Sequence, residues 1–287
     1  MLMEQKIDTN GVQLWCETFG DPSDPAVLLV MGLGAQGITW PEPLCKELQE
    51  AGRYVIRYDN RDTGLSSVVD FDERPYTMTD LAADAVGLLD GLGVGTAHVV
   101  GASMGGMIGQ ELALEHPERL RTLTLIMSSA AAADRSKGGF AGTETDPEVA
   151  AWTEDLATNP PTTVEGLVQT RIDLARIVHG SLGDFDEEAV RKTVMTELTR
   201  SSDVGRAMDN HTKAFAASRD RTGLISQITV PTLVIHGTED RLAPFAHGKA
   251  MAEAIEGSVF LPVEGMGHGL SAAVQDIVIP AVIAHTR

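Results

Sequence analysis

Short apolar runs and stretches of helical period alternate along the first 130 residues. Val12–Phe19 (Val-Gln-Leu-Trp-Cys-Glu-Thr-Phe) reads as a half-buried strand that leaves an Asn10-Gly11 turn and pairs with Glu4–Asp8. Ala26–Met31 is continuously apolar, the pattern of a strand covered on both faces, and Tyr54–Tyr58, Ala97–Val100 and Leu120–Met127 repeat it. Between them, Pro41–Ala51, Thr79–Leu92 and Met104–His116 carry apolar residues at helical spacing. Alternation of this kind predicts βαβ units and a mostly parallel sheet flanked by helices, an α/β fold.

The pattern changes between about Ala131 and Thr222. Asp146–Ala157, Thr162–His179, Asp184–Arg200 and Asp203–Ser218 all have helical periodicity, and no convincing strand lies among them. Strand signal then returns at Thr229–His236, followed by a helix over Pro244–Ile255, a strand over Ser258–Val263 and a helix over Ser271–His285. A helical block set into an alternating chain is the signature of a cap. The expected organisation is a core domain built from residues 1–130 and 223–287, with residues 131–222 inserted as a helical cap (lid). The short Ser128–Ala133 run reads as a connector, and there is no internal repeat.

Composition narrows the partners. At 287 residues the chain can bury roughly three quarters of its unfolded surface without metal or disulfide staples. Lys plus Arg number 22 against 41 Asp plus Glu, a formal charge of −19 whose field repels polyanions. With aromatic residues at only 5%, a nucleic-acid-binding role is not expected. Cys16 and Cys45 are the two cysteines, too few for a disulfide framework or a zinc-ligand spacing. The polar opening Met1–Asn10 has no signal-peptide pattern, and the longest apolar runs fall far short of a membrane span. A cytoplasmic, reduced protein is the expectation, as monomer or dimer.

The sharpest chemical signal is Gly101-Ala102-Ser103-Met104-Gly105-Gly106, directly after the strand His98-Val99-Val100 and directly before a helix. A serine hydroxyl is a poor nucleophile unless a base removes its proton and its approach is unhindered. A tight strand-to-helix turn lifts the side chain above the sheet edge, and small residues at Gly101 and Gly105 let the two backbones pass closely. Such an elbow demands an acid and then a histidine on later strand ends. Pro231–His236 is a strand ending at Gly237, so Asp240 falls in the loop beyond its carboxyl end. Glu239 is the rival acid, and Asp240 is preferred because the turn after Gly237 needs a short acid pointing inward.

Of eight histidines, His98, His116, His179 and His211 precede the acid and break the order. His236 suits a packed structural role, while His247 and His285 are expected to be solvated. His268, in Glu264-Gly265-Met266-Gly267-His268-Gly269, has flanking glycines that let it swing over the sheet edge, and it is assigned as general base and then general acid. An acyl-transfer intermediate also needs two oxyanion donors. One is the N–H of Met104; the other comes from the loop Met31-Gly32-Leu33-Gly34-Ala35, at Leu33 or Gly32. The charged turn Asp59–Ser66 is read as structural, with Arg61 and its acidic neighbours tying down a loop.

The segments Leu28–Trp40, Tyr54–Ser67, Leu81–Gly106, Val230–His247 and Gly265–Leu270 resemble the α/β-hydrolase superfamily, and in particular the aclacinomycin methylesterases of anthracycline biosynthesis. Those enzymes cleave a methyl ester on a polyketide aglycone. The resemblance implies the α/β-hydrolase fold, a triad at Ser103, Asp240 and His268, and oxyanion donors at Met104 and at Gly32 or Leu33. Met31-Gly32 stands where many members have His-Gly. The helical insert matches far less well, so the anthracycline substrate does not transfer; Trp152, Phe140 and Ile172 are candidates for an apolar pocket or for cap core.

The expected function is serine-dependent hydrolysis, through an acyl-enzyme, of a small or medium apolar carboxylic ester, with a methyl ester of a polyketide-like compound as one candidate, without cofactor or metal. A C–C bond hydrolase or enol-lactonase would use the same triad, and a slow-turnover small-molecule receptor is the reading from another class. A dehalogenase or epoxide hydrolase would want a carboxylate where Ser103 stands.

Overall fold

Asn10 and Gly11 both adopt left-handed backbone, with φ of 46° and 74°. A two-residue hairpin loop needs this to match strand twist, and β1 (Met3–Thr9) and β2 (Val12–Phe19) pair antiparallel across it. The structure, a computed structural model, describes residues 3–134, 139–140, 144–201 and 203–287. After the hairpin, strands and helices alternate as β3 (Ala26–Val30), α1 (Glu42–Glu50), β4 (Tyr54–Tyr58), α2 (Met78–Gly91), β5 (Ala97–Ala102), α3 (Met104–Glu115) and β6 (Leu120–Ile126). A two-residue ribbon, β7 (Ala133–Asp134) with β8 (Gly139–Phe140), precedes four helices: α4 (Pro147–Thr158), α5 (Val164–Ile177), α6 (Glu187–Arg200) and α7 (Val204–Ala217). The chain then returns as β9 (Thr232–Gly237), α8 (Phe245–Ala254), β10 (Val259–Val263) and α9 (Ala272–His285).

Eight strands form one sheet in the order β1-β2-β4-β3-β5-β6-β9-β10. Every pairing from β4 to β10 is parallel, and β2 joins β4 antiparallel. Alternate side chains of the central strands divide between two apolar layers. Leu28 and Val30 pack with α2, α3 and α8, while Val27 and Leu29 pack with α1 and α9. The chain leaves β3 towards β4 on one side and leaves β5 towards β6 on the other. The strand order therefore switches between β3 and β5, and the crevice beyond their carboxyl ends is where open α/β sheets take ligands.

Of the four inserted helices, α7 packs Ala214 into the main core, while α5 and α6 share a small apolar core of their own, Val168, Ile172 and Val194 with Phe185, Val190 and Leu198 against it. Ile172 thus belongs to this core, and Trp152 donates its indole N–H to the Thr170 carbonyl at 3.2 Å. The side chain of Phe140 lies outside the described residues. Cys16 and Cys45 are free and buried on opposite faces of the sheet, where burial pushes both thiols up to about 12.

His98 sits inside the sheet with its Nδ1 2.9 Å from the Thr122 hydroxyl, and burial, reinforced by Arg121, lowers its pKa from 6.5 to about 4. Between those values the unfolded chain binds a proton that the folded one refuses, so this group's contribution to stability is lost as pH falls through the window. His98→Asn is expected to remove about 1–2 kcal/mol of the stability difference between pH 7 and pH 5. Denaturant unfolding of both proteins at the two pH values checks this; equal acid losses would contradict it.

Candidate active site

β5 ends in a turn that few residues tolerate. Ser103 adopts φ 53° and ψ −121°, a strained conformation for a residue with a Cβ. The crowding around it explains the glycines: a Cβ on Gly101 would meet the Gly105 carbonyl oxygen at 2.3 Å, and one on Gly105 would meet that of Val30 at 2.0 Å. The turn is pinned by the Ser103 N–H donating to the Ile126 carbonyl at 2.9 Å. Ser128 donates its hydroxyl to the Ser103 carbonyl at 2.8 Å, so the small-residue run after β6 is part of the elbow's support rather than a bare connector. Met104 opens α3, where the N–H groups of the first turn have no intrahelical acceptor.

Two further loops converge on Ser103. Beyond β9, Asp240 is buried and its Oδ1 accepts from the backbone N–H groups of Leu242 and Ala243 at 2.9 and 2.8 Å. Its Oδ2 accepts from His268 Nδ1 at 2.8 Å. With the ring proton held on Nδ1, Nε2 is left to accept from the Ser103 hydroxyl, 3.0 Å away. A hydroxyl in that position can pass its proton to the imidazole as it attacks an electrophile, and the carboxylate stabilises the imidazolium that results.

The loop carrying His268 is held by backbone from the helical insert. The His268 N–H donates to the Val178 carbonyl at 2.6 Å and the Gly267 N–H to that of His179 at 3.1 Å. In return, the Gly265 carbonyl accepts from Ser181 and Leu182, both at 2.8 Å. A Cβ on Gly267 would meet the Val178 oxygen at 2.0 Å, so glycine here serves close docking. Sequence periodicity has no signal for such contacts, because main-chain atoms make them.

Glu239, the rival acid, points elsewhere: its carboxylate accepts from the Ser181 hydroxyl at 2.8 Å. His236 is fully buried, donates from Nε2 to the Ala243 carbonyl at 2.7 Å and is kept neutral by burial, the structural role expected of it. His247 and His285 are not solvated as expected. His247 is half-buried with Nδ1 2.8 Å from the Ser129 hydroxyl, and His285 caps the Leu123 and Pro231 carbonyls at 3.3 Å each. Helix position alone concealed that His247 faces the segment after β6 and His285 the β6–β9 edge.

On the other side of Ser103 lies the loop after β3. Gly32 sits against the serine, where an added Cβ would be 3.1 Å from Ser103 Cβ and 3.6 Å from Oγ. Leu33 follows in the turn closed by the Ala35 N–H donating to the Gly32 carbonyl. The charged turn after β4 supports this loop. Asp59 accepts from the N–H groups of Gly37 and Leu65 and pairs with Arg200 of α6 at 2.8 Å. Arg61 makes its ion pair with Asp84 of α2, at 2.6 Å, rather than with its neighbours in sequence. Among the described residues no group of three or more His, Cys, Asp or Glu side chains could hold a metal ion. No helix among them is long and apolar enough to cross a membrane.

Residues 25–270 match the family model of the alpha/beta hydrolase fold. The rhodomycin D methylesterase DnrP of Streptomyces peucetius is 36% identical over 290 residues, covering 98% of this chain and 97% of that protein. DauP, a rhodomycin D methylesterase of Streptomyces sp. (strain C5), is 35% identical with the same coverage. Among solved structures, the enol-lactonase from Burkholderia xenovorans LB400 superposes with a TM-score of 0.75 at 25% identity, covering 98% of this chain and 99% of that one. With sheet order, elbow and family match in agreement, the chain belongs to the α/β-hydrolase family.

Proposed function

We propose that the protein is a serine carboxylic-ester hydrolase whose catalytic residues are Ser103, His268 and Asp240. The observation that carries this reading is the unbroken hydrogen-bonded chain from the Asp240 carboxylate through the His268 ring to the Ser103 hydroxyl. Ser103 Oγ attacks the ester carbonyl while His268 Nε2 takes its proton. The developing oxyanion is met by the N–H of Met104, at the head of α3, and by the Gly32–Leu33 segment beside the serine. His268 then delivers the proton to the departing alcohol. Water gives a proton to the same ring as it attacks the acyl carbonyl, and the ring returns that proton to Ser103 Oγ as the Oγ–acyl bond breaks and the acid leaves. Neither cofactor nor metal enters these steps.

Residues 131–222 form the cap of this reading, set over a core of residues 1–130 and 223–287. Two relatives that match nearly end to end are rhodomycin D methylesterases, which supports a methyl ester of a polyketide-like compound as the substrate. The enol-lactonase likeness makes a lactone the natural competitor. Purified protein offered methyl esters of polycyclic aromatic acids, p-nitrophenyl esters of graded acyl length, enol-lactones and ring-fission diketones is expected to turn over the esters with the highest kcat/KM. Turnover of lactones or diketones with no ester hydrolysis would overturn the reading.

A further inference from the structure

His211 lies on α7, far from the triad in sequence and fully buried. Both of its ring nitrogens are engaged by backbone. Nε2 lies 2.8 Å from the Arg61 carbonyl, which can only accept, so Nε2 carries the proton. Nδ1 is therefore a bare acceptor, and the Gly34 N–H donates to it at 3.0 Å. Burial holds the ring neutral, as this double role requires.

The peptide that donates to His211 is a particular one. The Ala35 N–H closes a turn onto the Gly32 carbonyl at 3.2 Å. Gly34, its third residue, has φ +67°, while Leu33, its second, is outside the left-handed region. This is type II geometry. It differs from type I by a flip of the central peptide, the one joining Leu33 to Gly34. The Gly34 N–H is the donor of that peptide, so an acceptor fixed on one side of the turn selects one flip state. The adjoining peptide carries the Leu33 N–H, and Gly32 abuts Ser103.

We propose that His211 is a positioning residue for the oxyanion loop: from the inserted helices it grips the Gly34 N–H and thereby sets the direction of the Gly32–Leu33 donors towards Ser103. The inference rests on the ester-hydrolase reading of Ser103. It adds that the helical insert builds part of the transition-state site instead of merely covering it. Met208, one turn earlier on α7, reinforces the contact, since a Cβ on Gly34 would lie 3.0 Å from Met208 Cε.

The two ring nitrogens can be separated by substitution. Asparagine places an acceptor near the Nδ1 position, and glutamine places a donor near the Nε2 position. Kinetics of p-nitrophenyl acetate hydrolysis are measured for the wild type, H211A, H211N, H211Q and, as control, S103A. H211A and H211Q are expected to lose about tenfold or more in kcat with KM little changed, and H211N to recover most of that loss. Equal kcat values for H211N and H211Q would overturn the proposal. On the unsubstituted protein, nitrogen-15 spectra of labelled glycine and histidine are expected to show a through-hydrogen-bond coupling between the Gly34 amide and an unprotonated His211 Nδ1. A proton bonded to Nδ1 would overturn it even if every variant failed to fold. Undiminished turnover by S103A would instead sink the ester-hydrolase reading, whatever the His211 variants do.

Discussion

Replacing Ser103 by alanine is expected to lower kcat for p-nitrophenyl acetate by about 10⁴-fold or more. The loss is that large because, among the described residues, Ser103 supplies the hydroxyl bonded to His268 Nε2, and water recruited to the gap would not be held for attack on the carbonyl. Stability should barely move. Alanine has the same Cβ as serine, so the strain of φ 53° is unchanged, and the bonds that pin the turn use the Ser103 backbone, not its hydroxyl. Initial rates and a thermal midpoint on the same preparation check both halves. Retention of more than about a hundredth of the wild-type rate by a folded variant would exclude Ser103 as the nucleophile.

Asp240→Asn is expected to cost about 10³–10⁴-fold in kcat with the fold intact, through the tautomer of His268. The surroundings of the carboxylate dictate the result. Two backbone N–H groups, from Leu242 and Ala243, point at Oδ1, so the carbonyl oxygen of an asparagine must take that place. Its NH₂ group then faces His268 Nδ1, where a donor now stands in place of an acceptor. The ring answers by moving its proton to Nε2, the atom that must accept from Ser103. Asp240→Glu should not restore the rate, because the longer side chain cannot keep both backbone bonds. The kcat values of the two variants, with circular dichroism as the folding control, test this. An asparagine variant within tenfold of wild type would mean that the carboxylate does not orient the ring.

The fold was legible where it rests on periodic burial. Continuous apolar strands, helices between them and the helical block before β9 all follow from local pattern, and the observed elements differ from expectation mainly at their ends. The elbow was legible for a different reason: Gly101 and Gly105 are demanded by steric contacts under 2.5 Å, and such demands leave a glycine in the sequence. Asp240 is preferred over Glu239 because the turn after Gly237 needs a short acid, and His268 among eight histidines by chain order and loop glycines; the hydrogen bonds are consistent with both.

What stayed hidden shares one physical character. The Val178–Leu182 segment holds the His268 loop through main-chain atoms, and its local mark is a glycine, Gly180, where a Cβ would meet the Gly265 carbonyl oxygen at 2.4 Å. Ser128, Arg200 and His211 act across separations of 25, 141 and 177 residues, on partners no local pattern predicts. His211 precedes the acid in the chain and so fails the order of a triad base, an order that says nothing about support of the oxyanion loop.

The most direct measurement of the central claim, that Ser103 is acylated during turnover, is rapid acid quench of the protein with a slowly deacylating p-nitrophenyl ester, followed by mass spectrometry of its peptides. The expected result is one acyl group per chain, carried by the peptide containing Ser103 and missing from Ser103→Ala. An acyl group found on another residue, or ester turnover with no acylated peptide at any quench time, would contradict it.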